Sequence, residues 1–440
     1  MIGLIVNPVA GVGGPAGLAG SDGADVQRLA VSRGARSRVQ ERAAAALSVL
    51  AAQHPGLVIA TAAGAMGADA VRAAGLLPHV VDGVSGAPGA RVRAERTATS
   101  RADAVHSAAS GALAEGAAGT AGADTSRAVT AVVAAGADLV LVVGGDGTLR
   151  DAAAGLGVGA SAFTTPPESV PSATAGAAGG ASAQFLRSCE QQPAVLGVPA
   201  GVKMYSPVFA VSPAAAGAIA ADWVSRGPLP TEDREVLDID EAALRHARVE
   251  PTLYALLRVP VRTGRTQARK APTPASEAAA VEAAARGAIA LMRPGVRYLL
   301  GPGGTAAAIA RQLGVEGTPL GVDVVLDGAV VSRGASEQQL LAEISRGRAQ
   351  AVVTVIGGQG FLLGRGNQQL SASVLRAIGD DPLLVVAPEQ KLIDLRGRPL
   401  LVDTGDLDLD ARLAGHVRVI TGVGTRSLYP VTAPELTPTQ

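Results

Sequence analysis

The stretch Ala137 to Asp151, Ala-Asp-Leu-Val-Leu-Val-Val-Gly-Gly-Asp-Gly-Thr-Leu-Arg-Asp, limits what this chain can be more than any other. Its apolar run, Leu139 to Val143, has no polar residue on either face, so it reads as a strand buried on both sides. The run ends in Gly144, Gly145 and Gly147 around a single carboxylate, Asp146, with Thr148 following. Glycines let the backbone approach a ligand closely and turn several N–H groups toward one point, which is what a polyphosphate needs. Asp146 is then placed to act on a metal or a hydroxyl. Glycine is abundant here, 56 of 440 residues, but abundance alone rarely sets three around an Asp and before a Thr at a strand end.

A chain of this length has room for two or three domains with real cores. The formal charge is +0 and aromatic residues make up 2%, so neither the electrostatic footprint nor the stacking platforms of a nucleic-acid binder are visible. No segment approaches twenty uninterrupted apolar residues, and the apolar start Met1 to Val6 lacks a basic flank and stops at Asn7-Pro8. A soluble cytoplasmic protein is expected. The single cysteine, Cys189, excludes a disulfide framework or a cysteine metal site within one chain. Arginine is plentiful, whereas lysine occurs only at 203, 270 and 391 and asparagine only at 7 and 367. In such a background each survivor is a candidate for chemistry.

In chain order, Ile2 to Val6 reads as a strand and Asn7 to Gly17 as a glycine-rich loop. Ser37-Arg38-Val39-Gln40 reads as a capping box opening a helix to about Ala52, and Leu57 to Thr61 as the next strand. His79 to Val81 makes a short third strand. Residues 85–122 and 157–192 are rich in small residues and read as insertions. Asp124 is expected to cap a helix from Ser126 to Ala135. Val195 to Ser206 is a strand running into a second glycine loop, with Lys203, Tyr205 and Ser206 as candidates for contact with substrate. Ser212-Pro213 begins a helix. Glu235 to Glu241 alternates acidic and apolar residues, so Asp238 and Asp240 are weak candidates for a divalent metal, an acidic edge strand being the plainer reading. Thr252 to Val261 reads as a strand and Ser276 to Met292 as a helix.

Arg297 to Leu300, Gly301-Pro302-Gly303-Gly304-Thr305 and a helix from Ala306 form strand, glycine loop and helix N-terminus in the order of an anion site. Gly321 to Leu326 and Ala351 to Ile356 are further strands, with Ser336-x-x-Gln339 capping a helix between them. The run Gly357 to Gln369 that follows carries Gln359, Arg365 and Asn367 between glycines, a set of planar hydrogen-bonding groups suited to ligand recognition. Leu383 to Val386, Leu400 to Val402 and Val417 to Ile420 complete the strands.

The Gly-Gly-Asp-Gly-Thr run resembles the motif of the superfamily that contains NAD kinases and diacylglycerol and sphingosine kinases. The opening strand ending in Asn7-Pro8 and glycines resembles the start of the diacylglycerol kinase family, while the longer run through Gly20-Ser21-Asp22-Gly23, the loop around Lys203 and the run 357–369 resemble a bacterial and archaeal branch, the ATP-NAD kinase-like family. The resemblance implies Asp146 as catalytic acid/base; as a lone carboxylate in a glycine loop it is also a candidate metal ligand. It implies phosphate or nucleotide contacts from Asn7, Gly144, Gly145, Gly147, Thr148, Gly301, Gly303, Gly304 and Thr305. Asp151 stands as a shorter counterpart of the Glu that related kinases carry in an Asn-Glu pair, a dipeptide absent here.

The fold implied is an α/β N-terminal doubly wound domain, residues 1–222, and a β-rich C-terminal domain, residues 223–440. The active site lies in the cleft between them, and the chain end is able to return to the first domain. The function implied is an ATP-dependent small-molecule kinase using Mg²⁺ or another divalent cation, phosphorylating NAD to NADP. Two alternatives stay open: another hydroxylated metabolite or lipid as acceptor, and a regulator that senses a dinucleotide without turning it over. The expected partners are a small-molecule substrate and further copies of the chain, with neither nucleic acid nor membrane.

Overall fold

The buried run of the central motif becomes β4 (Leu139–Gly144), all six of its residues buried. The structure, a computed structural model, describes residues 1–18, 20–21, 23–81, 122–158, 192–238, 252–262, 266, 278–318 and 320–436. β4 pairs in parallel with β1 (Ile2–Val6) on one side and β5 (Ala194–Pro199) on the other. β2 (Val58–Thr61) and β3 (Leu77–Val80) extend the sheet beyond β1, giving the order β3-β2-β1-β4-β5. The order reverses between β1 and β4. In open parallel sheets a ligand binds at such a reversal, outside the carboxyl ends of the strands. Val6 is level with Val143, and Gly144 with Pro199, so three loops leave the sheet together.

Helices α1 (Ala24–Ser32), α2 (Val39–Gln53), α3 (Ala68–Ala73), α4 (Gly122–Ala134), α5 (Asp146–Gly155) and α6 (Pro213–Arg226) belong to this first unit. Ser212 caps α6 by accepting from the Ala215 N–H at 3.0 Å, with Pro213 in the first turn. The capping box expected at Ser37 does not form. Ser37 Oγ donates to the Ala10 carbonyl at 2.9 Å and Gln40 Nε2 to the Ala65 carbonyl at 2.8 Å, so partners distant in sequence take both side chains. α4 begins at Gly122, which puts Asp124 inside the first turn instead of before it.

The boundary expected near residue 222 falls within α6. Beyond it the antiparallel pair β6 (Thr231–Asp238) and β7 (Thr252–Pro260) buries Val236, Ala255, Leu257 and Val259 in the same core as Leu4, Val142 and Leu196. The expected insertions lie outside the described residues apart from their edges.

The second unit is a mixed eight-stranded sheet. It contains β8 (Arg297–Leu300), β9 (Asp323–Leu326), β10 (Ala329–Ser332), β11 (Ala349–Thr354), β12 (Leu383–Val386), β13 (Leu400–Leu401), β14 (Gly415–Gly422) and β15 (Thr425–Thr432). Its order is β10-β9-β8-β11-β12-β14-β15-β13, with β8, β11, β12 and β14 mutually parallel. Helices α7 (Ala278–Ile289) and α8 (Gly304–Gln312) pack on one face through Ala284, Ala288, Ala308 and Ile309. Helices α9 (Glu337–Ile344) and α10 (Ala372–Ile378) pack on the other through Leu340, Val374 and Leu375. Ser336 forms the full capping box with Gln339 at the start of α9. After α11 (Glu389–Ile393) and α12 (Leu407–Leu413), the chain end brings Glu435 Oε1 to the Ala214 N–H of α6 at 3.2 Å. No helix among the described residues is long and apolar enough to cross a membrane.

Candidate functional site at the strand-order reversal

The site is built from the three loops leaving β1, β4 and β5. Asn7 joins the first two: its N–H donates to the Val143 carbonyl at 3.1 Å and its Nδ2 to Thr148 Oγ1 at 3.0 Å, while its Oδ1 accepts from the Val9 N–H at 3.2 Å. At Gly144 a Cβ would stand 2.3 Å from Thr148 Oγ1, so only glycine lets that hydroxyl close on the loop. Gly145 precedes α5, and Asp146, Gly147 and Thr148 form its first turn, where backbone N–H groups lack helical acceptors and the helix dipole favours negative charge.

Asp146 is 7% exposed. Its N–H donates to the Lys203 carbonyl at 3.2 Å. Its Oδ2 accepts from the Tyr205 N–H at 2.7 Å, and its Oδ1 from the Ser206 N–H at 3.0 Å and from Ser206 Oγ at 2.6 Å. The Ser206 hydroxyl in turn accepts from the Leu237 N–H at 3.0 Å. Three donors match a carboxylate's charge and fix its plane. The Tyr205 phenol is pushed up to about 12, first by burial and then by the charge of Asp146. The loop after β5 stays this close because Gly201 faces Gly145 backbone to backbone: a Cβ on Gly201 would lie 2.3 Å from the Gly145 Cα.

The second unit holds this loop from outside. Gln359 Nε2 donates to the Met204 carbonyl at 3.1 Å, and Gln368 Nε2 to the Gly201 and Val202 carbonyls at 3.1 and 3.4 Å. Asn367 is turned into its own loop, accepting from the Gly364 N–H at 3.0 Å and donating to the Leu362 carbonyl at 2.7 Å. Arg365 lies buried over the Phe361 ring, donating to Asp403 Oδ2 at 2.8 Å and the Val211 carbonyl at 2.9 Å. Asp403 also accepts from Arg42 on α2, at 2.7 and 2.8 Å. Burial alone pushes the Asp403 carboxyl up, but the charges of Arg42 and Arg365 beside it outweigh this and hold it at about 2.

The structure therefore brings Asn7, Gly144, Gly145, Asp146, Gly147, Thr148, Lys203, Tyr205, Ser206 and Gln359 together, and sets Arg365 and Asn367 in the seam between the units. Asp151 lies elsewhere on α5, against Gly122 at the start of α4, paired with Arg150 at 3.4 Å. Gly301, Gly303, Gly304 and Thr305 lie at the carboxyl end of β8 on the second sheet, running into the first turn of α8. Here the chain leaves β8 for α8 on one face, while the loop after neighbouring β11 leads to α10 on the other. Gly303 precedes α8 with φ +117°, and the buried Thr305 hydroxyl makes no hydrogen bond.

Asp238 ends β6, Asp240 lies outside the described residues, and among those described no group of three or more His, Cys, Asp or Glu is placed to hold a metal. The interdomain contacts of Arg42, Gln368 and Asp403 were not legible as functional from the sequence. Gln368 at least stands in the glycine-punctuated run, whereas Arg42 looks like any solvated residue of a helix.

Compared with protein-family models, the chain matches the ATP-NAD kinase N-terminal domain over residues 2–160 and the ATP-NAD kinase C-terminal domain over residues 293–431. No curated protein and no solved structure gives a significant match. The first match contains Asn7 and the Gly144 to Thr148 loop, and the second contains Gly301 to Thr305 and the run 357–369. Between them they span most of the sequence, including the strand-order reversal of one sheet and the parallel centre of the other. The chain belongs to the NAD kinase-like family and is an ATP-dependent kinase of that family.

Proposed function

We propose that the protein transfers the terminal phosphoryl group of ATP to a hydroxyl of NAD, making NADP, with Asp146 as the acid/base. The observation that carries this is the fixed carboxylate of Asp146 in the first turn of α5, beside the glycine loop and the Asn7–Thr148 contact. Phosphoryl transfer asks a protein mainly for positioning and electrostatic stabilisation. The glycine loop supplies backbone N–H groups to phosphate oxygens, and Asp146 accepts the proton of the acceptor hydroxyl as transfer proceeds. Mg²⁺ suits a site with one carboxylate, since it takes most of its remaining ligands from phosphates and water. Asp146 would hold it, and the ion would neutralise charge developing on the phosphates. Lys203, on the loop facing Asp146, supplies a cation near the phosphates.

The second reading is an acceptor other than NAD, favoured by the lack of an Asn-Glu dipeptide and by the position of Asp151 against α4. The test supplies purified protein with Mg²⁺, ATP and NAD, and reads NADP with a dehydrogenase that reduces only NADP. Asp146→Asn should keep the fold and nucleotide affinity while turnover drops by a factor on the order of 100 to 10,000. Folded wild-type protein that makes no NADP would exclude NAD as acceptor, and wild-type turnover in the Asn variant would remove Asp146 from the chemistry.

A further inference from the structure

The two family matches leave residues 161–292 between them, and much of what holds Asp146 comes from that stretch. The β6–β7 hairpin belongs to it, with β7 lying against β5 and β6 against α5. The hairpin is not a regular ladder. Up to Val236, opposite Ala255, one residue of β6 meets one of β7, but Leu237 stands opposite Leu253, so Tyr254 is an extra residue on β7. A bulge disrupts the ladder locally and re-aims the backbone beside it, and bulges gather next to active sites. At this bulge the Leu237 N–H turns to the loop after β5 and donates to Ser206 Oγ at 3.0 Å.

Ser206 is fully buried, and its hydroxyl has one proton to give. Because its oxygen accepts from Leu237, that proton points to Asp146 Oδ1, 2.6 Å away. The Ser206 N–H reaches the same oxygen at 3.0 Å, so one residue grips Oδ1 from two directions. A hydroxyl at about 2.5–2.7 Å from a carboxylate oxygen makes a strong, charge-assisted bond. Without a fixed donor behind it, the hydroxyl would be free to rotate about its Cβ–Oγ bond. The Leu237 N–H is such a donor, because its own side chain is buried and packed on Tyr205.

The geometry points to the β6–β7 hairpin as a positioning element for phosphoryl transfer: the Leu237 N–H at the bulge orients the Ser206 hydroxyl, and Ser206, a positioning residue, fixes the plane in which Asp146 meets the acceptor hydroxyl. The inference rests on Asp146 being the acid/base. The transferred proton goes from the acceptor hydroxyl to Asp146, and Ser206 keeps its own throughout. Since a misplacement of about 1 Å can cost a hundredfold in rate, loss of this grip falls on turnover and leaves nucleotide binding to the glycine loop.

The test compares NADP formation from Mg²⁺, ATP and NAD by the full chain, by Ser206→Ala, by Asp146→Asn and by the double variant. A fifth protein carries the α-hydroxy acid of leucine at 237, which turns that N–H into an ester oxygen and keeps every side chain. Thermal melting checks the fold of each. Ser206→Ala should lower kcat about 10- to 100-fold with KM for ATP within about twofold, and the ester should lower kcat at least about threefold. Once Asp146 is Asn, losing the Ser206 hydroxyl should change kcat less than about twofold, because Ser206 acts through that carboxylate. An equal drop in both backgrounds, a rise in KM in place of a fall in kcat, or a wild-type rate in the ester overturns the inference. Wild-type turnover in Asp146→Asn sinks the acid/base reading itself, whereas a slow Asp146→Asn beside a fast Ser206→Ala sinks only the positioning role. If the folded wild type does not use NAD, crystal structures of the wild type and Ser206→Ala decide. An Asp146 carboxylate turned by more than about 20° in the variant, beyond the tolerance of a catalytic arrangement, supports the role, and an unmoved one overturns it.

Discussion

Asp403 stands between two cations from different units, Arg42 of α2 and Arg365 of the 357–369 run, and its own side chain is 2% exposed. In Asp403→Asn the shape survives but the two guanidinium groups face each other without their shared carboxylate. Breaking a buried pair by removing one member costs about 3–5 kcal/mol, because a charge is left buried and uncompensated. Two cations share this carboxylate, which places the expected loss toward the upper end, about 4–5 kcal/mol. Two other carboxyls nearby, Asp410 and Glu435, are themselves pushed up by burial.

Arg42→Met is expected to behave differently. It leaves Asp403 with Arg365 as a neutral pair that keeps its bond to Val211 and its place over Phe361, so the loss should be about 1–2 kcal/mol. The double variant should be more stable than Asp403→Asn alone, since one of the two stranded charges is gone. Urea unfolding followed by circular dichroism at neutral pH gives all three values. An Arg42→Met loss as large as that of Asp403→Asn, or an Asp403→Asn loss below about 1 kcal/mol, would refute the shared-carboxylate argument.

The same carboxylate sets an acid limit. A folded value near 2 against an ordinary 3.8 means its contribution is present above pH 4 and lost as pH falls toward 2, about 2 kcal/mol in all. A stability profile against pH should show that loss in the wild type and not in Asp403→Asn. Gly201→Ala should cost about 1–3 kcal/mol in thermal unfolding, because the new Cβ meets the Gly145 backbone. Gly304→Ala, whose Cβ would meet nothing within 4 Å, should cost nothing. Ser206→Ala removes a 2.6 Å bond to Asp146 and strands the buried Leu237 N–H, so turnover should fall 10- to 100-fold with KM nearly unchanged, as steady-state rates will show.

Much of the first sheet is legible because β1, β4 and β5 are buried on both faces and so read as apolar runs. β4 and β5 are of this kind, and both appear close to the expected bounds. Less legible were strands with a solvated side. β10 has no apolar run to mark it, and only the turn before it, Asp327-Gly328, with positive φ at both residues, signals the tight hairpin. β15 carries Pro430 and an exposed Leu428, and its outer side pairs only with the two residues of β13, so a proline is tolerated there.

The motif pointed to Asp146, but what holds that carboxylate is largely backbone: the N–H groups of Tyr205 and Ser206, some sixty residues away. Side-chain patterns cannot announce such donors. Arg365 and Asn367 look like ligand contacts in the sequence because planar groups in a glycine-rich run suit recognition. In the fold they are taken up by a buried Asp and by backbone carbonyls, Leu362 of the loop itself and Val211 of the first unit. The Ser37 box failed for a related reason, since a local signal gave way to acceptors brought near only by tertiary packing.

The contact between Gly145 and Gly201 has a mechanical consequence. With no side chain between them, the loops after β4 and β5 cannot swing apart as independent flaps without tearing Asp146 from Tyr205 and Ser206. They form one stiff block anchored to adjacent strands of a parallel sheet. Any opening that admits a substrate must then be a movement of the other wall, with the side chains of Gln359 and Gln368 as its latch.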